Sequence, residues 1–188
     1  MRVGVLAIQG SVKEHIEKLK RLDGITPVEA KDKETLKNID ALILPGGEST
    51  AIGKMLNDFD LKDAIIDLYR FGMPIWGTCA GMILMAKHIA NDDKVHLGIM
   101  DIKVRRNAYG SQLDSFTAKL SMPDVSKEEV DAVFIRAPYI EDVGENVKVL
   151  SIYDGKIVAA REGNLFATSF HPELTDDLSF YKYFLGLH

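Results

Sequence analysis

The only cysteine of the 188-residue chain lies in Gly77-Thr78-Cys79-Ala80-Gly81, where a short apolar run gives way to a helical pattern. Such a strand-to-helix turn is the thiol counterpart of the G-x-S-x-G nucleophile elbow. A strained turn projects the nucleophile, and the flanking glycines let strand, helix and substrate approach without Cβ clashes. The helix starting at Ala80 aims free N–H groups at the sulfur, which suits an anionic thiolate, and the Ala80 N–H is placed to hold a developing oxyanion. A thiol nucleophile needs a base, and the base needs an orienting group. His171 and Glu173 flank Pro172, which biases the backbone toward extended geometry, so the two side chains point the same way. Glu173 can then hold one ring nitrogen of His171 while the other faces Cys79. The remaining histidines read otherwise: His15 as a solvated helix residue, His88 as a helix C-terminal cation, His96 as part of a charged loop, and His188 as the last residue. A third piece, Leu44-Pro45-Gly46-Gly47-Glu48-Ser49-Thr50, puts a glycine pair between a strand end and a helix start, a backbone cradle for an anion. It lacks the lysine of a P-loop, and beside the elbow it can supply a second oxyanion donor. Taken singly, each piece has a bland reading: a small core cysteine, a satisfied buried histidine, a turn. Together they read as a nucleophilic hydrolase site.

These residues need strands to present them. Val3–Ile8, Ala41–Leu44 and Pro74–Gly77 are compact apolar runs, and Pro27–Ala30 is a shorter one. Between them, Ser11 is an N-cap with Glu14 closing a capping box, and Val12, Ile16, Leu19 and Leu22 recur at helical spacing. Lys31–Asn38 reads as a solvated helical turn, Ser49–Tyr69 as helix broken near Asp58–Asp60, and Ala80–Ile89 as the helix after the elbow. Strand and helix alternating at these lengths predict parallel crossovers with helices on both faces of a sheet. The second half predicts strands at Leu97–Val104, Ser115–Leu120, Val130–Ile135, Val147–Ile152, Lys156–Arg161 and Leu165–Ser169, with hairpin turns at Asp154-Gly155 and Gly163. A helix over Leu178–Leu187 closes the chain. No linker or repeat divides it, so residues 1–188 are expected to form one domain.

Composition excludes several functions. Lysine and arginine number 23 against 28 acidic residues, and a net charge of −5 leaves no electrostatic footprint for duplex nucleic acid or an anionic membrane. One cysteine cannot form an intrachain disulfide or a structural zinc site built on thiolate pairs. No apolar run reaches transmembrane length, and the opening residues lack a small-residue cleavage site, so a cytoplasmic location is expected.

The three motifs together resemble those of the class I, or triad, glutamine amidotransferases, and the likeness runs from Gly4-Val5-Leu6-Ala7-Ile8-Gln9-Gly10 to the C-terminal helix. Within that family, six strings are similar to the glutaminase subunits of pyridoxal 5′-phosphate synthases. They are Ile8–Val12, Pro45–Thr50, Gly77–Met82, Arg105–Gln112, Phe134–Pro138 and Phe170–Glu173. The resemblance implies a single-domain α/β fold of the amidotransferase type: a mostly parallel central sheet, helices on both faces, and added antiparallel strands in the second half. It implies hydrolysis of L-glutamine to L-glutamate and ammonia through a γ-glutamyl thioester, without metal or organic cofactor. Cys79 would be the nucleophile, His171 the general base and acid, and Glu173 the orienter, with Gly47 and Ala80 as oxyanion donors. Gly46, Gly47 and Glu48 would hold glutamine, and Arg106, Ile135 and Arg136 would close on its amino-acid end. An arginine fork suits the α-carboxylate and Glu48 the α-ammonium; read without the resemblance, Arg105, Arg106 and Arg136 are surface charges. A separate synthase subunit would receive the ammonia, and 188 residues leave no room for a phosphate-binding barrel in this chain. Gln9–Val12 and the first helix, including His15, are expected to form part of the docking surface, and the resemblance implies activity that is low until the synthase binds. The rival readings are another class I amidotransferase, an elbow-cysteine peptidase or deglycase, and a non-catalytic regulatory relative. Ammonia released from glutamine but not from peptides would separate the enzymes.

Overall fold

The computed structural model describes residues 1–107 and 115–186. The first half runs β1 (Arg2–Leu6), α1 (Val12–Leu19), β2 (Thr26–Ala30), α2 (Lys33–Leu36), β3 (Ala41–Leu44), α3 (Ser49–Asp58), α4 (Lys62–Arg70), β4 (Ile75–Thr78) and α5 (Ala80–Met85). β1 pairs in parallel with β2 and β3, and β3 with β4, so helices form the crossovers. β1, β3 and β4 are covered on both faces, and alternate residues enter different cores. Leu42, Leu44 and Ile75 pack with Ile52 and Leu56 of α3 and Ile65 of α4. Ala41, Ile43 and Trp76 pack instead with Leu19 of α1 and with Phe180, Tyr181 and Phe184. Burial on both faces is why the strands read as unbroken apolar runs rather than as alternation.

The second half continues through β5 (Ala86–Ile89), β6 (Met100–Arg105), β7 (Ser115–Leu120), β8 (Val130–Ile135), β9 (Tyr139–Val143), β10 (Lys148–Tyr153), β11 (Lys156–Glu162), β12 (Leu165–Thr168) and α6 (Ser179–Leu185). The large sheet has the order β2-β1-β3-β4-β12-β11-β9-β6-β5, with β10 on β11, while β7 and β8 form a separate antiparallel pair. β12 is parallel to β4 and antiparallel to β11. This is the expected architecture, a mostly parallel core carrying antiparallel additions. It is also doubly wound, and such sheets bind ligands outside the carboxyl ends of their strands. The site segments obey that rule: Gln9 follows β1, Gly46 follows β3, Cys79 follows β4 and His171 follows β12.

Three local expectations change. The helix after the elbow ends at Met85, and residues 86–89 form β5, paired in parallel with β6; no Gly or Pro marks the switch, and strand pairing overrides helix propensity. His88 therefore lies in a strand and is not a helix-terminal cation. β9 was not expected, because Ile140 is its only fully buried residue and its other positions are acidic or half-covered. His171 and Glu173 are not extended: Pro172–Leu174 is a 3₁₀ turn with proline in its first position, where the missing N–H costs nothing. The helix after the Gly46-Gly47 pair breaks at Phe59–Leu61, as expected, with Asp60 at φ 56°. Ala108–Gln112 of the arginine string, together with Leu187 and His188, lie outside the described residues. No helix among the described residues is long and apolar enough to cross a membrane.

Candidate active site

Cys79 takes φ 50° and ψ −106°, a conformation costly for any residue with a Cβ. It is over-determined by its neighbours. The register Thr78↔Thr168 runs β4 beside β12, and the Cys79 N–H donates to the Thr168 carbonyl at 2.8 Å. A Cβ on Gly77 would fall 2.5 Å from the Gly81 backbone, and one on Gly81 would fall 2.0 Å from the Leu44 carbonyl oxygen. Only glycine at both positions lets α5 start directly beneath the strand ends. The sulfur is nearly buried and lies 3.9 Å from the Ile135 carbonyl oxygen. Ala80 is the first residue of α5, so its N–H is one of the helix donors without an intrahelical acceptor.

His171 follows β12 and is held from the other side by β8, whose Val133 carbonyl accepts its N–H at 2.8 Å. Its ring shares the cleft lining with Cys79 and interacts with it electrostatically, and its Nδ1 lies 2.7 Å from Glu173 Oε1. Burial works against a charged ring, but the hydrogen bonds and charges of Cys79 and Glu173 outweigh it and raise the pKa to about 10. Glu173 is buried too. Burial opposes its charge, yet His15, the hydrogen bond and charge of His171, and the Ser11 hydroxyl bring its pKa down to about 2. A proton thus resides on His171 at neutral pH while Glu173 stays ionised. Gly46 sits against this pair, since a Cβ there would be 2.5 Å from His171 Cε1 and 3.4 Å from Cys79 Cβ.

Two residues at the start of α1 behave differently from expectation. Ser11 stands at the N-cap of α1 but makes no side-chain cap, so the capping box with Glu14 is absent. Its hydroxyl donates instead to Glu173 Oε1 at 2.7 Å. His15 is neither solvated nor part of a docking surface: it is fully buried, 2.8 Å from the Tyr181 hydroxyl and 3.3 Å from Thr78 Oγ1. Its place was legible after all. Val12, His15, Ile16 and Leu19 follow the i, i+3, i+4, i+7 stripe of a core-facing helix.

A cleft of about 760 Å³ opens in front of Cys79 and His171, lined also by Gln9, Gly47, Glu48, Ala80, Arg106, Asn107, Ile135 and Arg136. Of the expected substrate contacts, Gly46 alone lies behind the lining, under His171. The Gly46 carbonyl accepts the Ser11 N–H at 3.0 Å, and in a trans peptide this turns the Gly47 N–H away from Ser11. Glu48 is the N-cap of α3, accepting from the N–H groups of Thr50 (3.2 Å) and Ala51 (2.7 Å), while its own N–H donates to Gln9 Oε1 at 3.0 Å. Arg106 donates to Asp92 Oδ2 at 2.6 Å and to Thr50 Oγ1 at 3.3 Å. Arg136 takes a left-handed φ of 44° at the rim. Arg105 is directed elsewhere, donating twice to Glu141 Oε1. Sequence reasoning missed Asp92, whose charged loop carries no motif, and the Ser11–Glu173 contact, which spans 162 residues.

Residues 5–187 match the SNO glutamine amidotransferase family, and the chain belongs to that family. Over all 188 residues, and over the whole of each relative, it is 73% identical to the pyridoxal 5′-phosphate synthase subunit PdxT of Thermoanaerobacter sp. (strain X514) and 69% identical to that of Caldanaerobacter subterraneus subsp. tengcongensis. A crystal structure of a glutamine amidotransferase superposes with a TM-score of 0.93 at 43% identity, covering 98% of this chain and 97% of that one.

Proposed function

We infer that Cys79, His171 and Glu173 are the catalytic triad of a glutaminase, and that this chain is the glutamine-hydrolysing subunit of a pyridoxal 5′-phosphate synthase. The reaction is hydrolysis of L-glutamine to L-glutamate and ammonia. The observation that carries the reading is that Cys79 and His171 meet at the ends of β4 and β12, with Glu173 Oε1 2.7 Å from His171 Nδ1, in a member of this family. The Cys79 thiolate attacks the γ-amide carbon, and the oxyanion that forms is held by the N–H groups of Gly47 and Ala80. His171 gives its proton to the departing nitrogen as the C–N bond breaks, leaving ammonia and a γ-glutamyl thioester. Neutral His171 then takes a proton from water, the hydroxide attacks, and the C–S bond breaks to release glutamate and the thiolate. Glu173 fixes the ring through Nδ1 and balances its charge in both steps.

The α-amino and α-carboxylate groups lie toward the opposite wall. Arg106, with Ile135 and Arg136, receives the carboxylate; Glu48 receives the ammonium; Gly47 lets the side-chain amide approach the sulfur, and Gly46 makes room for the His171 ring. Ammonia passes to the synthase subunit, because in bulk water it would protonate and lose its nucleophilicity. A nucleophile that must stay reduced suits the cytoplasm, where we place the reaction. The test is glutamate release from glutamine, with and without the synthase subunit, for wild type and Cys79→Ala. Release that the synthase stimulates and the substitution abolishes is expected; undiminished release by Cys79→Ala would overturn the triad.

A further inference from the structure

We infer that Ser11 and His15, both from the start of α1, are positioning residues of the triad: they bracket the two carboxylate oxygens of Glu173 and so give His171 one fixed partner. The inference rests on the triad reading above and goes beyond it, because neither residue reaches the cleft.

Ser11 occupies a position where a serine hydroxyl ordinarily accepts from the first turn of its own helix. Here it donates across the fold to Glu173 Oε1, the oxygen that also takes His171 Nδ1, both at 2.7 Å. The second oxygen, Oε2, is buried without a hydrogen-bond partner among the described residues, and His15 Nε2 faces it at 3.6 Å. The His15 ring is itself fixed. Tyr181 of α6 meets Nδ1 at 2.8 Å, Thr78 meets Nε2 at 3.3 Å, and the rings of Trp76 and Tyr181 pack against it edge to face. Burial holds the Tyr181 phenol protonated, and burial likewise keeps His15 neutral. With the tyrosine hydroxyl donating to Nδ1, the single ring proton of His15 sits on Nε2 and points toward Glu173 and Thr78. A neutral N–H dipole complements the carboxylate without adding a second cation to compete with His171. An ionised carboxylate has acceptor sites in several directions, and this bracket engages both oxygens so that the Oε1 site facing His171 is held in one direction.

The experiment measures kcat and KM for glutamine in the complex with the synthase subunit. Ser11→Ala should lower kcat about tenfold or more, as expected for a lost hydrogen bond to a charged group, with KM within about twofold. Ser11→Thr, which keeps the hydroxyl, should stay within about threefold of wild type on the same grounds. Tyr181→Phe keeps the fold's aromatic packing but frees the His15 tautomer, and should lower kcat about three- to tenfold at unchanged KM. Wild-type kcat in both Ser11→Ala and Tyr181→Phe, with Cys79→Ala inactive, would overturn this inference and leave the triad standing. Equal losses in Ser11→Thr and Ser11→Ala would also overturn it, since the hydroxyl would then not matter. Loss in Ser11→Ala alone would overturn the His15 half. An active Cys79→Ala would instead bring down the triad beneath it.

Discussion

On one wall of the cleft, Cys79 and His171 sit together with Glu173 buried against His171, and each is held from behind: Cys79 by the paired ends of β4 and β12, His171 by β8, and Glu173 by α1. On the other wall, the groups proposed to meet glutamine are occupied by partners of their own. Glu48 caps α3, and Arg106 is paired with Asp92. The first wall is complete on folding, whereas the second must share or exchange contacts when substrate arrives. The two walls should therefore fail differently, one through kcat and the other through KM.

The largest effect expected is from Glu173→Gln, which keeps the shape of the side chain and removes its charge. The amide can still accept from Ser11, but it no longer balances a charged His171 or selects its tautomer. We expect kcat to fall by about 10²–10⁴ with KM for glutamine little changed, by analogy with removing the orienting carboxylate of other triads. Steady-state kinetics in the synthase complex checks this. A rise in KM that matched the fall in kcat would show that the walls are not separable.

The same wall should imprint its charges on stability. The pKa of His171 is raised from 6.5 to about 10, and that of Glu173 is lowered from 4.5 to about 2. The proton on His171 thus contributes stability that is fully present below pH 6.5 and is lost as pH rises through about 10. The charge on Glu173 contributes stability present above pH 4.5 and lost as pH falls through about 2. Thermal midpoints of wild type and His171→Asn, compared across pH, should differ most between pH 4.5 and 6.5 and converge toward pH 10. A difference that stayed constant from pH 6 to pH 10 would mean that the proton on His171 is not held by its neighbours.

The contrast between the walls also governs what the sequence disclosed. Cys79 between two glycines, His171-Pro172-Glu173 and the Gly46-Gly47 pair are local devices at strand ends, so a few neighbouring residues suffice to reveal them. The parallel half of the fold was legible for a similar reason, since strands buried on both faces leave unbroken apolar runs such as Ala41–Leu44. What stayed hidden depends on residues far apart in the chain. Ser11 satisfied a local rule, that of the N-cap, which masked its true partner 162 residues away. β5 was read as helix because Ala86–Ile89 follows an apolar helix without punctuation, and only pairing with β6 makes it a strand. His15 is a different case: its helical stripe marked it as core-facing, but a polar residue type obscured the pattern.

The smallest effect is the sharpest test of the second wall. Arg106 and Asp92 form a close pair, 2.6 Å apart, with roughly a third and a fifth of their side chains exposed. If Arg106 receives the α-carboxylate, Arg106→Ala should raise KM for glutamine about tenfold or more with kcat much less affected, the loss of one charge-assisted contact. Asp92 then competes with substrate for the same guanidinium. A partly exposed pair of this kind is weak, so Asp92→Asn should lower KM only about two- to fivefold. The sign is what matters. A lower KM means that Asp92 occupies the site until glutamine displaces it. A higher KM would mean that Asp92 aims Arg106 into the cleft, which would make the second wall as fully prepared by folding as the first and reduce the difference between them to one of exposure.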